Sequence, residues 1–300
     1  MANPETVKRH TFGVLLVLVA SGGFGTLAIF GKFAEAAGLN TTTLLAFRFT
    51  IAAGLLWIGL AALGRARRLP PGQLKVAFAL GLLYASFSAL FFWALLYIPA
   101  GIAAIAFYTY PAYVYAISVS VLNEQLTRLK LVALVVAVLG VALIVGGDTV
   151  SIDPFGIALI LLAALGYALY ITGSRAALGS IAPDLLAGVV LIATSISFVG
   201  FGFVSGRLFV PGGGQQWGII LGIAVVGTAL PIFLYVTGLE HIEASQASIL
   251  GTAEPLVTVL LGVALLDEVV TPAVAVGGGL VLLGVALIQT DAAGDVRTPQ

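Results

Sequence analysis

Ten long apolar runs, separated by short polar connections, divide this chain. A bilayer whose hydrocarbon core is about 30 Å thick requires roughly 20 apolar residues for each spanning helix. Only 9% of the residues are charged and 60% are hydrophobic, which is typical of a polytopic membrane protein. The sequence therefore predicts an all-α membrane protein whose helices cover residues 11–33, 41–63, 74–97, 101–122, 128–147, 155–175, 184–205, 217–239, 244–266 and 272–290.

Lysine and arginine in the short connections predict the orientation of these helices, because cytoplasmic loops carry an excess of both. With a cytoplasmic N-terminus, an outside loop holds only Arg207, Lys32 lies at an outer helix end, and Arg48 lies within a helix. We therefore expect both termini in the cytoplasm and a multi-pass protein of the inner or plasma membrane. The basic residues then placed inside are Lys8, Arg9, Arg65, Arg67, Arg68, Lys75, Arg128, Lys130, Arg175 and Arg297.

The chain contains an internal repeat. Residues 91–144 align without a gap with residues 235–288, and 17 of the 54 positions are identical. The helices before these segments also match, at an offset one residue shorter. We therefore expect two homologous halves of five helices each, at residues 1–148 and 149–300.

An odd number of helices in each half makes the second half enter the membrane from the opposite side. The charges agree with this inversion. Lys8 and Arg9, expected inside, correspond to Ser151 and Ile152, and Arg128 and Lys130 correspond to Pro272 and Val274. Each basic pair is thus replaced by uncharged residues where inversion moves its loop to the outer face. Inverted repeats occur in many secondary transporters, whose halves alternate around a substrate site near the midplane. A structural duplication without transport is the alternative interpretation.

Several motifs resemble those of the EamA-type branch of the drug/metabolite transporter superfamily. They are "GTLAIFGK" in the first helix, "LLAFRFTIAA" in the second, and the paired segments "YPAYVYAISVSVLNE" and "EPLVTVLLGVALLDE". The likeness is strongest to YddG-like exporters of aromatic and other neutral amino acids. The resemblance implies a secondary exporter of small metabolites that works by alternating access at a midplane cavity. Drug or other-metabolite export and passive facilitation by the same fold are alternatives.

Other functional classes find little support in the sequence. There is no cysteine, and His10 and His241 lie far apart, so we expect no metal site and no cofactor. Thirteen basic and thirteen acidic residues cancel, which argues against nucleic-acid binding. No common proteolytic motif is present, and the helices are too apolar for a wide channel. The expected partners are a small-molecule substrate and the lipid bilayer, with the protein as a monomer.

Glu254 is the sharpest candidate for a functional residue, because it falls near the middle of the predicted span 244–266. A charge at the bilayer centre costs about 2.5–3.5 kcal/mol on insertion scales. One interpretation is a contact with a substrate ammonium group or a proton-coupling carboxyl. The other is a protonated carboxyl that hydrogen-bonds a neighbouring helix, since Pro255 leaves backbone carbonyls without partners.

Arg48 is the second candidate, about a third of the way into its helix from the outer face. Its guanidinium could bind a substrate carboxylate, extend to the membrane interface, or connect two helices. Lys32 and Arg175 correspond to each other across the repeat at helix ends, and we expect both to anchor those ends.

Aromatic residues are concentrated on the third and fourth helices. A small-molecule pocket needs apolar walls and a few polar groups. The motifs "GGFGT" in the first helix and "GYALY" in the sixth are further possible walls. The expected substrate-binding set is Tyr84, Phe107, Tyr108 and Tyr110, with Ser248 and Thr252 at the matching level of the ninth helix, together with Glu254 and Arg48.

Pro111 and Pro255 occupy equivalent positions in the two halves and are the expected hinges. The acidic helix ends, at Glu124 in one half and at Asp267 and Glu268 in the other, have two interpretations. They cap loops or connect helices, or they take part in gating.

Overall fold

The computed structural model describes residues 4–94, 96–98, 106–125, 127–145, 153–266 and 272–295, and every regular element in these residues is helical. A π-helical turn at Val225–Ala229 joins two of the helices. The expectation of an all-α fold is therefore confirmed over the described ranges. The helices are α1 (Pro4–Gly25), α2 (Leu27–Ala36), α3 (Thr41–Ala62), α4 (Pro71–Ala94), α5 (Tyr110–Val121), α6 (Arg128–Val145), α7 (Pro154–Ala177), α8 (Pro183–Val204), α9 (Gly214–Ala224), α10 (Leu230–Leu239), α11 (Ala244–Gly251), α12 (Glu254–Leu266) and α13 (Pro272–Asp295).

Several helical segments are long and apolar enough to cross a membrane, which confirms a multi-pass membrane protein. Helices α5, α6 and α13 lie in the three other predicted spans. The count of ten spans and the cytoplasmic termini stay predictions, and the expected boundary between the halves, at 148/149, lies outside the described residues. The seven qualifying segments in the described ranges are Lys8–Ala36, Thr41–Ala62, Pro71–Ala94, Pro154–Ala177, Pro183–Val204, Gly214–Leu239 and Ala244–Leu265.

Local sequence signals determine where several helices begin. The side chain of Asn40 accepts a hydrogen bond from the Thr43 amide at 2.7 Å and caps α3. Asp153 accepts from the Phe155 amide at 2.8 Å and caps α7, whose first turn also contains a proline. These caps satisfy amide groups that a helix start leaves without partners.

The helices pack in pairs that follow the internal repeat. The main pairs are α1 with α10, α4 with α7, α3 with α8, and α6 with α13. Exchanging the two halves converts the α1–α10 pair into the α7–α4 pair. The same exchange returns α3–α8 and α6–α13 to themselves, so the packing has the approximate two-fold relation that a duplicated bundle requires.

Close contacts between α6 and α13 repeat this symmetry at the level of single residues. A Cβ atom at Gly140 would lie 2.6 Å from the Gly277 carbonyl oxygen, and a Cβ at Gly284 would lie 2.9 Å from the Ala133 carbonyl oxygen. Gly140 corresponds to Gly284 in the repeat, and Ala133 corresponds to Gly277. Small residues let helix backbones approach closely in membranes, and here they do so twice in one interface.

A second pair of glycines shows the same correspondence in two different interfaces. A Cβ at Gly13 would lie 2.7 Å from the Cβ of His241, and a Cβ at Gly156 would lie 2.8 Å from the Cβ of Tyr97. Gly13 corresponds to Gly156, and Tyr97 to His241. The duplication seen in the sequence is therefore also present in the packing.

Side-chain contacts join most of the basic helix ends at one end of the bundle. Arg65 pairs with Asp184 at 2.8 Å, and Gln73 donates to the Ser180 carbonyl at 3.0 Å. The Arg175 guanidinium donates to the Ile242 carbonyl at 3.2 Å, so this residue joins the end of α7 to the connection between α10 and α11. We call this end of the bundle, which carries Arg65, Arg67, Arg68, Lys75, Lys130 and Arg175, the basic face.

Candidate functional site

Four membrane-spanning segments are interrupted at positions that contact one another. The interruptions lie at Thr26, between α1 and α2, at 108–109, before α5, at 252–253, between α11 and α12, and at the π-helical turn between α9 and α10. The Thr258 hydroxyl donates to the Gly25 carbonyl at 2.9 Å, which connects the first and third of these sites. Discontinuous helices of this kind form the substrate sites of many transporters.

A threonine hydroxyl bonds to a backbone carbonyl at each interruption. Thr26, Thr109 and Thr252 each donate to the carbonyl three residues earlier, all at 2.6 Å. Thr228, in the π-helical turn, donates to the Ile223 carbonyl at 2.7 Å. The carbonyls bonded by Thr26, Thr109 and Thr252 also accept the amide of the same threonine, at 3.1, 3.3 and 3.1 Å, so each hydroxyl adds a second hydrogen bond that stabilises the tight turn.

The expected hinges Pro111 and Pro255 lie directly after two of the interruptions. Pro111 is the second residue of α5, and Pro255 is the second residue of α12. Proline is tolerated in the first turn of a helix, where its missing amide is not needed, and it prevents the preceding turn from continuing. The structure thus places both prolines at the junctions where bending would occur.

Glu254 is the first residue of α12, at the interruption that it shares with Thr252. The Tyr108 hydroxyl is positioned to hydrogen-bond its carboxyl, and the charge of Arg48 acts on it across the site. A carboxylate at a helix N-terminus is also stabilised by the helix dipole. Glu254 is partly buried, as is Phe107 beside Tyr108.

Arg48 lies in the bundle interior, where its residue is 6% exposed. Its Nε donates to the Thr228 hydroxyl at 2.6 Å, and its guanidinium carbon lies 4.6 Å from the centre of the Phe49 ring. Of the three uses expected from the sequence, extension to the membrane interface does not occur. The contact holds α3 against the π-helical turn, and Nε makes the only Arg48 hydrogen bond found in the described part of the chain, so the terminal nitrogens are available to a ligand.

The aromatic residues predicted for the site come together in one cluster. Tyr110 lies between Tyr167, with ring centres 4.7 Å apart, and the Ser248 carbonyl, to which its hydroxyl donates at 3.1 Å. Tyr84 contacts Tyr170 with ring centres 4.9 Å apart. The connected cluster is Phe49, Tyr84, Phe87, Phe91, Phe92, Phe107, Tyr108, Tyr110, Tyr167, Tyr170 and Phe198.

Ser248 and Thr252 are fully buried, and both hydroxyls donate within their own helical segment. Ser248 donates to the Ser245 carbonyl at 2.8 Å, and Thr252 to the Ile249 carbonyl. In this conformation the two hydroxyls support backbone geometry, and only their lone pairs are available to a substrate.

Some residues of this site were not among those expected from the sequence. Tyr167 and Tyr170 come from the "GYALY" motif, which indicated a wall without identifying which side chains face the site. Thr228 could have been found through Pro231, because a proline inside a span often accompanies a π-helical turn. Thr26 follows the glycines of "GGFGT", a weaker signal for an interruption.

A second group of contacts connects the two halves at the basic face. The Glu124 carboxylate accepts hydrogen bonds from the Ala244 amide at 2.9 Å, the Ser245 amide at 3.3 Å and the Ser245 hydroxyl, so it caps the start of α11. Lys130, whose side chain is 0% exposed, pairs with Glu243, which lies in the connection between α10 and α11. We call these five residues the basic-face clasp.

The clasp resolves one of the alternatives left by the sequence, since Glu124 does contact another helix. It joins the end of α5, in the first half, to the start of α11, in the second half. A cavity of about 330 Å³ lined by Glu124, Arg175 and Glu243 lies beside it. The equivalent acids of the second half, Asp267 and Glu268, lie outside the described residues.

Two proteins similar to this chain are described as transporters. The chain is 30% identical over 252 residues to an uncharacterized transporter of Archaeoglobus fulgidus, with 83% of this chain and 89% of that protein covered. It is also 30% identical over 161 residues to the uncharacterized transporter YwfM of Bacillus subtilis, with 53% of each chain covered.

A solved crystal structure has the same fold. It is similar over 94% of this chain and 98% of its own, with a TM-score of 0.80 and 20% sequence identity. At that identity the likeness shows the fold alone.

A protein-family model also matches the chain twice. The EamA-like transporter family matches at residues 11–146 and again at residues 154–290. The two matches together cover most of the chain and agree with the internal repeat. The chain therefore belongs to the EamA-like transporter family.

Proposed function

We propose that this transporter exports small neutral or aromatic amino acids across the inner or plasma membrane by alternating access. In this proposal ten spans form two inverted halves, with both termini in the cytoplasm and the basic face toward the cytoplasm. The substrate binds at the interrupted helices, where Glu254 and Arg48 lie.

The observation that carries the proposal is a pair of opposite charges beside an aromatic cluster. A free amino acid carries an ammonium and a carboxylate group one carbon apart. The Glu254 carboxylate suits the ammonium, and the terminal nitrogens of Arg48 suit the carboxylate, for which a guanidinium has matching geometry. Tyr84, Phe107 and Tyr110 supply an apolar surface for the substrate side chain.

Movement between conformations uses the interruptions. The segments after Pro111 and Pro255 lack continuous hydrogen bonding to the segments before them, so each can tilt without breaking a regular helix. The clasp at Glu124 is the contact that opening toward the basic face must break.

The internal repeat predicts an equivalent closing contact at the opposite face in the alternate conformation. Glu124 corresponds to Glu268, and Ala244 and Ser245 correspond to Ala100 and Gly101. We infer that Glu268 closes the opposite face when the basic face opens. Each half would thus provide one carboxylate that closes one face.

The test is transport by the purified protein in liposomes. Labelled neutral and aromatic amino acids are supplied with and without a pH gradient, for wild type, for Glu254→Gln and for the control Glu35→Gln, whose residue is exposed near a helix end. We expect saturable aromatic amino-acid flux in wild type and control, reduced at least tenfold in Glu254→Gln, because loss of one charged contact costs about 1.5–3 kcal/mol.

Three outcomes would change the proposal. Absence of amino-acid flux in the wild type would refute the substrate class and favour a drug or other-metabolite exporter. Gradient-driven flux that persists unchanged in Glu254→Gln would exclude that carboxyl as a proton carrier. Equal flux with and without the gradient would favour a facilitator.

A further inference from the structure

We propose that a crevice on the membrane-facing surface, between α3, α4 and α8 at the basic face, binds one anionic phospholipid. This site is separate from the amino-acid site and has its own chemistry, an apolar groove with a basic rim.

The crevice has a volume of about 960 Å³. Its walls are apolar side chains, of which Leu74 and Leu82 are 45% and 44% exposed, whereas Val189 at its base belongs to the buried core. In a membrane such surfaces contact acyl chains. The apolar lining is Trp57, Leu69, Leu74, Phe78, Leu82, Val189 and Ile192.

One wall of the crevice is held in a fixed orientation. The Trp57 indole nitrogen donates to the Gly188 carbonyl at 3.0 Å, which connects α3 to α8. A Cβ at Gly188 would lie 3.0 Å from that same nitrogen, so glycine permits the close approach. The hydrogen bond fixes the ring as a flat surface along the groove, ready for an acyl chain without further ordering.

The rim of the crevice carries three cations, at Arg67, Arg68 and Lys75. None of the three makes an ion pair with a described residue, whereas the neighbouring Arg65 pairs with Asp184 at 2.8 Å. The sequence has no acidic residue between Glu35 and Glu124, so α3 and α4 supply none, and Asp184 of α8 is already paired with Arg65. The rim therefore presents uncompensated positive charge at the depth of lipid headgroups, where basic pockets between helices bind anionic lipids.

The internal repeat indicates that the fold does not require these cations. Aligning "GRARRLPPGQ" with "GRLFVPGGGQ" places Arg67 opposite Phe209 and Arg68 opposite Val210, and Lys75 falls opposite Trp217. The equivalent connection of the second half thus keeps the turn residues and loses all three charges. Orientation in the membrane accounts for an excess of basic residues, but it does not account for their place around an apolar groove.

The test uses Trp57 as the reporter, because it lines the groove. A variant with Trp93→Phe and Trp217→Phe leaves Trp57 as the single tryptophan of the three in the chain. It is reconstituted in vesicles of phosphatidylcholine that contain increasing fractions of phosphatidylglycerol with brominated acyl chains, which quench nearby indole fluorescence. Brominated phosphatidylcholine at the same fractions measures non-selective contact.

We expect brominated phosphatidylglycerol to quench Trp57 at a much lower mole fraction than brominated phosphatidylcholine. Each basic residue near the surface contributes about 1 kcal/mol to anionic-lipid binding, or about fivefold in affinity. The triple variant Arg67→Gln, Arg68→Gln, Lys75→Gln should therefore reduce the preference by up to about 100-fold.

A matched control distinguishes a specific lipid site in the crevice from general attraction between basic residues and anionic lipid. The variant Lys8→Gln, Arg9→Gln, Arg128→Gln also removes three exposed basic residues, and none of them lines the crevice. We expect it to keep the wild-type preference. Equal quenching by the two brominated lipids in the wild type, or an equal loss of preference in the control, would overturn the proposal.

Discussion

The contact between Glu124 and α11 allows a quantitative test of alternating access. The carboxylate accepts three hydrogen bonds, from the amides of Ala244 and Ser245 and from the Ser245 hydroxyl. Glu124→Gln keeps an acceptor oxygen of similar size but removes the charge. Hydrogen bonds to charged groups contribute about 1.5–3 kcal/mol, against about 0.5–1.5 kcal/mol for neutral ones, and the helix dipole adds about 0.3–1 kcal/mol.

The substitution should therefore weaken the closed basic face by about 1.5–2 kcal/mol. Since about 1.4 kcal/mol is a factor of ten in an equilibrium constant, the population open at this face should rise at least tenfold. The open population can be measured because the chain has no cysteine. A single Ser248→Cys, at a position that is 0% exposed behind the clasp, becomes reactive toward a maleimide only when the clasp opens.

We expect the labelling rate of Ser248→Cys to rise about tenfold when Glu124→Gln is added. Glu240→Gln is the matched control, because this acid lies in the connection between α10 and α11, is exposed, and its carboxylate forms no hydrogen bond or ion pair with the described residues. An unchanged rate in the Glu124 variant, or the same increase in the Glu240 control, would refute the clasp as a closing contact.

Three further substitutions test other parts of the structure. Lys130→Met removes a buried cation from the Glu243 carboxylate, whose side chain is 35% exposed, and should lower stability by about 1–2 kcal/mol, measured as thermal unfolding in detergent. Adding Glu243→Gln should restore part of this stability, and no recovery would contradict a direct pairing. Gly284→Ala should lower stability by about 1–3 kcal/mol, because its Cβ would lie 2.9 Å from the Ala133 carbonyl oxygen. A Cβ at Gly279 would meet nothing within 4 Å, so the control Gly279→Ala should be neutral. Equal effects of the two substitutions would contradict the close packing. Arg48→Gln should raise the amino-acid concentration for half-maximal flux at least tenfold, and an unchanged value would exclude a substrate role.

The sequence predicted the helical composition and the duplication because both depend on local patterns. Bilayer thickness sets the length of each apolar run, and an identical residue at a constant offset needs no structure to be seen. The proline pair at positions 111 and 255 likewise located two interruptions, since proline acts on its own backbone.

The rest of the site depends on contacts between distant segments. Arg48 meets Thr228 across 180 positions of the chain, and Tyr110 meets the Ser248 carbonyl across 138. Hydropathy contains no information on which of several aromatic faces turns inward, because lipid and protein interior are equally apolar. For the same reason Tyr167 could be identified only as part of a motif, and its contact with Tyr110 required the structure.

Under the proposed alternating access, in which the halves exchange conformations, the symmetric pairing of α6 with α13 has a thermodynamic consequence. The contacts of Gly140 and Gly284 are equivalent under exchange of the two halves. An interface of this kind has the same free energy before and after the halves exchange conformations. The free energy of such an interface therefore does not affect the equilibrium constant between the two substrate-free states, one open to each side of the membrane. Any preference between them must come from positions where the copies differ, such as the ion pair of Lys130 with Glu243, whose counterparts are Val274 and Pro99. The divergence of the two copies, rather than their similarity, thus sets which side of the membrane the empty carrier faces.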